Sequence, residues 1–150
     1  MPVCTIDTLS CGGKGGNAFD RQYVNTLGLR TGAWMDRIII NGQPHGGNGG
    51  QAGKVITLQP DEYINAVQVG TNVNNQYVGY FKATTNKGQT LEGGAKGGRV
   101  NTLSDVRVLA ISGHSGQYVD SLQILYIKDY DGPEPDPRYF YPIPDSDFVF

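Results

Sequence analysis

Two short phrases recur three times along the chain, and this repetition constrains the fold more than any other feature. The first phrase reads GAWMD from residue 32, NQYVG from residue 75 and GQYVD from residue 116, so successive copies are 43 and 41 residues apart. The second phrase is rich in glycine and reads CGGKGG at 11–16, HGGNGG at 45–50 and EGGAKGG at 92–98. Self-similarity at a fixed period predicts three structural units of similar size that pack on one another. Because 150 residues is an ordinary length for one domain, we expect the three units to share a single core.

The segments between these phrases carry the pattern of β-strands. Short runs rich in β-branched and aromatic residues are separated by clusters of glycine, asparagine and aspartate; they read RIIING, GKVITLQ, INAVQVG, VGYFKATTN, VRVLAISG and DSLQILYIK. No segment keeps helical spacing for three turns between a start and a stop signal, so we expect essentially no helix. The sequence therefore predicts an all-β fold, either a sandwich or a prism-like closed arrangement of sheets.

Charge and hydropathy exclude several classes of partner. The formal net charge of −2 and the pI near 5.5 leave no basic surface for a nucleic-acid backbone or an anionic membrane. No stretch approaches the ~20 apolar residues of a membrane span, and the start MPVCTIDTLS lacks the basic and apolar regions of a signal peptide. We therefore expect no nucleic acid, no membrane insertion, and a protein that is cytoplasmic or released without a signal peptide.

The cysteines and histidines do not form a pattern of known chemistry. Cys4 and Cys11 are too few for a disulfide framework, and a zinc site would need further ligands. We expect two reduced thiols, although a Cys4–Cys11 bridge remains open at this point. His45 and His114 lie in glycine-rich segments without a nucleophile pattern nearby, so we expect solvent-facing side chains and not catalytic bases.

The composition changes after Lys128. The last segment, DYDGPEPDPRYFYPIPDSDFVF at 129–150, has too many prolines for a central strand and carries clustered aromatic residues. We interpret it as an extended acidic tail and not as a fourth unit. Because clustered aromatic residues favour burial, we expect the tail to pack on the domain or on a second copy of it.

Each pair of phrases supplies groups that suit a polyhydroxylated ligand. Paired glycines let the backbone approach a ligand closely and leave amide groups free to donate. A carboxylate beside such donors can accept hydrogen bonds from two neighbouring hydroxyls, as Asp120 would in the last copy of the first phrase. Such binding selects orientation and needs no metal or other cofactor.

The segment from Cys11 to Lys128 resembles the jacalin-related lectins. The resemblance rests on four stretches in the order expected for that family: GGKGGNAFD at 12–20, HGGNGG at 45–50, TTNKGQT at 84–90 and ISGHSGQYVDSL at 111–122. It implies a β-prism I fold, in which three four-stranded Greek-key sheets surround a pseudo-threefold axis. The expected organisation is thus a lectin domain at 1–128 followed by the tail at 129–150.

The resemblance also implies where sugars would bind. In this family the sugar contacts the last glycine of the glycine-rich loop, two amides of the GxxxD turn and the aspartate. Matched motif by motif, site one consists of Gly16, Gln117, Tyr118 and Asp120, and site two of Gly50, Ala33, Trp34 and Asp36. The third copy gives a degenerate site of Gly98, Gln76 and Tyr77, because Asn75 stands at the first glycine of the phrase and Gly79 at the aspartate. Trp34 and Tyr118 are secondary candidates for an apolar face against a sugar ring.

The same resemblance favours mannose- or glucose-type glycans. Family members that prefer galactose are cleaved just before the glycine-rich loop, whereas TLSCGG here runs into the loop uncut. Two alternatives stay open: a lectin that tolerates galactose or N-acetylgalactosamine, and a non-catalytic assembly module whose tail mediates oligomerisation. A homodimer or higher homo-oligomer would suit either reading. Hydrolysis is not expected, because the threefold arrangement places Asp36 and Asp120 in separate sites, too far apart to flank one glycosidic bond.

Overall fold

A computed structural model describes the backbone of residues 3–130 and the side chains of residues 6–128. This part of the chain forms twelve strands: β1 (Val3–Gly12), β2 (Asn17–Tyr23), β3 (Thr26–Thr31), β4 (Met35–Ile40), β5 (Gln43–Gly46), β6 (Gln51–Thr57), β7 (Ile64–Thr71), β8 (Val78–Thr85), β9 (Thr90–Gly94), β10 (Val100–Ser104), β11 (Val106–Ser115) and β12 (Val119–Tyr130). The described residues contain no helix, and hence none that could cross a membrane. The all-β expectation is confirmed.

The strands form three antiparallel sheets of four strands each. We call them sheet A (order β1-β12-β11-β2), sheet B (β5-β4-β3-β6) and sheet C (β10-β7-β8-β9). Each sheet is built around a central hairpin. In sheets B and C the two outer strands follow the hairpin directly in sequence, whereas sheet A joins β1 and β2 to the hairpin of β11 and β12. The three sheets repeat the same plan, so the predicted β-prism with pseudo-threefold symmetry is confirmed.

One apolar core joins the sheets. The inward-facing residues of the central hairpins alternate with outward-facing ones, as strand geometry requires. Side chains from all three hairpins are almost fully buried, among them Leu27, Ile38, Ile40, Phe81, Ile111 and Leu122. Full burial of one such side chain contributes about 1.5–3 kcal/mol. The core therefore fixes the hairpins relative to one another and, with them, the turns at their ends.

The two repeated phrases meet at one end of the three sheets. The first phrase forms the turn of each central hairpin, and the second forms the loop that links the two outer strands of sheet A, B or C. In each sheet an amide of the loop donates to the carbonyl that follows the turn: Gly13 to Asp120 at 2.8 Å, Gly47 to Asp36 at 2.8 Å and Ala95 to Gly79 at 2.9 Å. These three bonds establish which residues are equivalent in the three units.

Strand β1 decides the question of the cysteines. Cys4 and Cys11 lie in one continuous strand, paired with Asp129 and Leu122 of β12. Seven residues of extended chain span ~23 Å, whereas a disulfide needs Cα atoms within about 7 Å. An internal bridge is therefore excluded. The Cys11 thiol is buried, and its burial raises the pKa of the thiol above the usual 9.0.

The expected tail lies almost entirely outside the described residues. Strand β12 runs through Asp129 and ends at Tyr130, two residues beyond the predicted domain boundary. The expectation that residues 131–150 pack on the domain or on a second copy stays a prediction.

Candidate functional site

Site one is built around the buried carboxylate of Asp120. This residue follows the turn between β11 and β12, and its side chain is 6% exposed. Two glycines of the adjoining loop lie against the carboxylate. A Cβ added at Gly16 would stand 2.4 Å from Oδ1, and a Cβ added at Gly15 would stand 2.9 Å from Oδ2. Gly16 also has φ of +80°, a conformation that other residues rarely adopt. The local sequence is thus fixed by contact with the carboxylate.

Unpaired amides border the same carboxylate. The turn is closed by one hydrogen bond, from the amide of Gly116 to the carbonyl of Tyr118 at 2.9 Å. The amides of Gly16, Gln117 and Tyr118 find no acceptor in the described part of the chain. Gly16 and Gln117 are exposed. The structure therefore brings together the four residues predicted for site one, with donors and an acceptor available to a ligand.

Burial sets the electrostatics of Asp120. Removal of water raises the pKa of this carboxyl above its usual 3.8, while His114 and the aspartate's own amide oppose the rise. Neither Asp120 nor Asp36 receives a hydrogen bond from the side chain of another described residue. Donors brought by a ligand would stabilise the ionised form of such a carboxylate.

Site two repeats this geometry at the end of sheet B. The carboxylate of Asp36, 9% exposed, lies against Gly50 and Gly49, whose added Cβ atoms would stand 2.6 Å from Oδ1 and 2.5 Å from Oδ2. Gly50 has φ of +70°, and the amide of Gly32 donates to the carbonyl of Trp34 at 3.0 Å. A pocket of about 290 Å³ contains all four predicted residues and is lined by Gly32, Ala33, Trp34, Asp36, Gly50 and Tyr118.

Arg30 holds the loop of site two and was not anticipated from the sequence. Its Nε donates to the carbonyl of Gly49 at 3.0 Å, and its Nη2 donates to Gly50 at 3.0 Å and to Asn48 at 3.3 Å. Its position, one residue before the strand pair that closes the turn, was the available signal. The Gly49 carbonyl and the Gly50 amide belong to one peptide group, so the bond from Arg30 to that carbonyl also fixes the orientation of the amide.

The third unit differs from the sequence-based alignment. Asn72, not Asn75, is equivalent to Gly32 and Gly116, because its amide donates to the carbonyl of Tyr77 at 3.0 Å. The third turn is longer than the others: four residues separate Asn72 from Tyr77, whereas one residue separates Gly32 from Trp34. An alignment of the five-residue phrases therefore does not show that Asn72 is equivalent to the glycines. The assignment of Asn75 to the first glycine is therefore wrong. Asn75 instead lies within the longer turn, with φ of 56°.

Asn72 closes the degenerate site from within. Its Oδ1 accepts hydrogen bonds from the amides of Gln76 at 2.8 Å and Tyr77 at 3.2 Å. The amide of Gly98 is also occupied, since it donates to the carbonyl of Thr71 at 2.9 Å. The three predicted residues of this site do lie together, but their donors are already bound. Asn72 itself is 1% exposed.

The aromatic residues of the three turns meet one another. The ring centroids of Trp34 and Tyr77 are 5.2 Å apart, those of Trp34 and Tyr118 5.1 Å, and those of Tyr77 and Tyr118 4.9 Å. We call these three residues the aromatic trio. Each member is half-buried, and Tyr118, from the turn of site one, also lines the pocket of site two. Trp34 and Tyr118 thus contribute to packing and to a site wall at once.

The histidines differ from each other. His114 is exposed as expected, but His45 lies in β5, half-buried and stacked on Phe19 with ring centroids 4.0 Å apart. The expectation of a solvent-facing His45 is therefore wrong. Burial lowers the pKa of its imidazole below 6.5. No group of three or more metal-ligating side chains occurs within residues 6–128.

A prism of three sheets with a glycine loop and a turn at one end of each defines a class of sugar-binding protein. The sequence model of the Jacalin-like lectin domain matches residues 9–125. The chain belongs to the jacalin-like lectin family. It is 37% identical to griffithsin from the Griffithsia species strain Q66D336 over 116 residues, which is 77% of this chain and 92% of that protein. Since the family and this relative are lectins, the expectation of a protein without enzymatic activity is confirmed.

Solved structures agree with the fold. Wild-type Malaysian banana lectin superposes with a TM-score of 0.70 at 21% identity, over 81% of this chain and 98% of that chain. AcmJRL, a mannose-binding jacalin-related lectin from Ananas comosus, gives a TM-score of 0.65 at 23% identity, over 83% of this chain and 99% of that chain. At this identity the likeness concerns the fold alone.

Proposed function

We propose that this lectin binds mannose- or glucose-type glycans without a metal, at two sites per chain. The observation that carries the proposal is the repeated geometry of Asp120 and Asp36. Each carboxylate lies against two glycines of a loop and next to a turn with unpaired amides. The third unit has neither feature, because Gly79 has no side chain and Asn72 occupies the turn amides.

The geometry suits a sugar ring presented edge-on. Two neighbouring hydroxyls can each donate to one oxygen of the carboxylate, while the loop amide and the turn amides donate to hydroxyl or ring oxygens. Hydrogen bonds to a charged group contribute roughly 1.5–3 kcal/mol each, so the carboxylate is expected to dominate the affinity. Because the donors are main-chain amides held by the sheets, little order has to be gained on binding.

Two observations support mannose over galactose. Gly12 ends strand β1, which pairs with β12 from Val3 to Gly12, so an amino-terminal ammonium at Gly12 would require cleavage within a paired strand. AcmJRL, which has the same fold, is a mannose-binding lectin. We therefore propose mannose ahead of glucose, and galactose or N-acetylgalactosamine as a poor ligand.

Titration calorimetry with methyl α-mannoside and methyl α-galactoside tests the proposal. Wild type is expected to bind about two mannosides per chain, and Asp120→Asn or Asp36→Asn about one each. Asp105→Asn is the matched control, because Asp105 lies in the turn between β10 and β11 with φ of 56°, which asparagine also accepts. Folded protein that gives no heat with mannoside, or tighter binding of galactoside, would contradict the proposal.

We further propose that the chain forms a homodimer or higher homo-oligomer. Ile6, on edge strand β1, and Val55, on edge strand β6, are 68% and 59% exposed. Exposed apolar side chains on unpaired edges favour association, and linked sites gain avidity. Light scattering on the full chain and on a chain ending at Tyr130 distinguishes this lectin from an assembly module. The lectin keeps mannoside binding without the tail, whereas an assembly module loses its oligomer and its function together.

A further inference from the structure

A basin of about 600 Å³ lies on the outer face of sheet A, beside the glycine loop of site one. Its polar lining comes from three strands and the loop: Ser10, Lys14, Ser112, His114, Ser121 and Gln123. Ser10, Gln123 and Ser112 form one row across the sheet, and Ser121 pairs with His114 in the next row. The outward face of the sheet therefore carries short polar side chains where site one adjoins it.

The corresponding place in sheet B is filled. Arg37 pairs with Arg30 as Ser121 pairs with His114, so the two arginines stand where sheet A has a serine and a histidine. Arg37 donates to the side chain of Asn48, and Arg30 donates to the carbonyls of Asn48, Gly49 and Gly50. Both arginines thus turn toward their own loop and occupy the face.

The corresponding place in sheet C is filled by a different set of side chains. Tyr80 is equivalent to Ser121, because each pairs with the glycine that begins the loop. Its hydroxyl donates to Glu92 at 2.5 Å, and the ammonium of Lys96 lies 4.9 Å from its ring centroid. Tyr80 is only 4% exposed. Among the residues whose side chains are described, this place is filled in sheets B and C and is open in sheet A.

The chemistry of the basin differs from that of site one. Lys14 and His114 line it, the other polar groups are hydroxyls and one amide, and no carboxylate is among its lining residues. Lys14 makes no ion pair with the described residues, and only Nδ1 of His114 has a partner, the hydroxyl of Ser121 at 3.2 Å. Asp120, which interacts electrostatically with His114, is 6% exposed and is not among the residues that line the basin. A cation with several neutral donors favours a ligand rich in acceptor oxygens.

We propose that this basin binds an anionic group, a phosphate, sulfate or carboxylate, carried by a glycan whose mannose occupies site one. Gly12 and Gly13 line the basin, and Gly15 and Gly16 contact Asp120, so one loop borders both places. Gly13 and Gly16 are three residues apart, a distance of ~11 Å at most in a fully extended chain. The anionic group of the glycan must therefore lie within about that distance of the mannose. The glycan part of this inference rests on the proposed function of site one, whereas binding of the anion to the basin does not.

The first arm of the test uses inorganic phosphate and sulfate. Nuclear magnetic resonance titration of the full chain saturated with methyl α-mannoside is expected to give saturable shifts at Gln123 and His114. Lys14→Gln weakens this binding ~3-fold or more, the effect of one partly screened ionic contact. Lys96→Gln is the matched control, because Lys96 is the equivalent residue of the third loop and contacts Tyr80. Shifts that do not saturate, or that persist unchanged in Lys14→Gln, overturn the proposal.

The second arm uses sugars with one free site. In the Asp36→Asn variant, α-mannose 1-phosphate and methyl α-mannoside 2-sulfate are compared with methyl α-mannoside by calorimetry. At least one anionic sugar is expected to bind ~3-fold tighter or more, and Ser121→Tyr, which places in sheet A the side chain that fills sheet C, abolishes the gain. Equal affinity of all three sugars overturns the proposal. Failure of methyl α-mannoside to bind at all contradicts the proposed lectin site instead, and the phosphate titration without sugar then decides whether the basin binds anions.

Discussion

Replacement of Gly16 by alanine separates the ligand geometry of site one from backbone strain. Gly16 has φ of +80° and Gly42 has φ of +81°, so alanine is forced into a left-handed conformation at both positions. A Cβ at Gly42 has nothing within 4 Å, whereas a Cβ at Gly16 stands 2.4 Å from Oδ1 of Asp120 and 2.9 Å from the amide nitrogen of Ser115. Gly42→Ala therefore measures the strain alone, and Gly16→Ala measures strain plus displacement of the carboxylate and of the backbone beside it.

The structure sets the size of both effects. Alanine in a left-handed conformation costs about 1–2 kcal/mol, which lowers the Tm of a chain of this length by roughly 2–8 °C. Ordinary contact begins near ~3.5 Å, so the Asp120 carboxylate must move by about 1 Å in Gly16→Ala. Such a shift breaks hydrogen bonds to a charged acceptor worth roughly 1.5–3 kcal/mol each, and a loss of about 3 kcal/mol weakens binding more than ~100-fold.

Calorimetry measures both quantities on the same samples. Gly42→Ala is expected to bind about two methyl α-mannosides per chain with a reduced Tm. Gly16→Ala is expected to bind about one, at site two, with a Tm at or below that of Gly42→Ala. If Gly16→Ala bound two mannosides with wild-type affinity, contact between the glycine loop and Asp120 would not define the site.

Four further predictions concern the other site, the silent turn and two carboxylates. Trp34 is the only tryptophan and lines site two, so methyl α-mannoside should change its fluorescence in wild type and in Asp120→Asn but not in Asp36→Asn; equal loss in both variants contradicts the assignment. Asn72→Ala leaves two turn amides without their acceptor, so unfolding calorimetry should show a loss of about 1–3 kcal/mol with no third sugar bound, because the carboxylate is still missing. Asp120 must be ionised to accept hydrogen bonds from two hydroxyls, and its pKa lies above 3.8. The affinity of Asp36→Asn for the sugar should therefore fall as the pH drops through the pKa of Asp120. An affinity that stays constant down to pH 3.8 refutes this prediction. Hydrogen bonds from Thr85, Gln59 and Gln89 lower the pKa of Glu62 below 4.5. The ionised Glu62 therefore stabilises the fold above pH 4.5, and this contribution is lost as the pH falls through the lowered pKa. The difference in Tm between wild type and Glu62→Gln should shrink over that range.

The fold was predictable because its signals are local and repeated. Alternating apolar runs specify strands, and two phrases written three times specify three equivalent ends. Asp120 and Asp36 were found together with their glycines, since the contact between Gly16 or Gly50 and a carboxylate leaves a glycine in the sequence. Backbone constraints of this kind are visible in a sequence because only one residue type meets them.

The features that could not be predicted from the sequence depend on where the pairing of two strands ends and on which distant side chains come into contact. The third turn was misaligned because Asn75 begins the five-residue phrase, whereas the last pair of that hairpin joins Thr71 to Val78 and places Asn72 at the turn. The position of Arg30 next to the turn did not identify it as a residue that binds the loop, because an arginine on an outward strand position resembles any solvated charge. The stacking of His45 on Phe19 joins two sheets, and no local pattern reports a contact between residues 26 positions apart.

The aromatic trio gives the third turn a structural role although no ligand is proposed to bind there. Tyr77 holds no ligand in the proposed scheme, yet its ring lies against both Trp34 and Tyr118, one from each binding turn. Loss of that ring would remove one of the two ring contacts that Trp34 and Tyr118 each make, so damage to the third unit would reach the turns of both proposed sites. Natural selection for sugar binding then also acts on a unit that binds no sugar. A triplicated lectin of this kind can lose a ligand from one unit more easily than it can lose the unit.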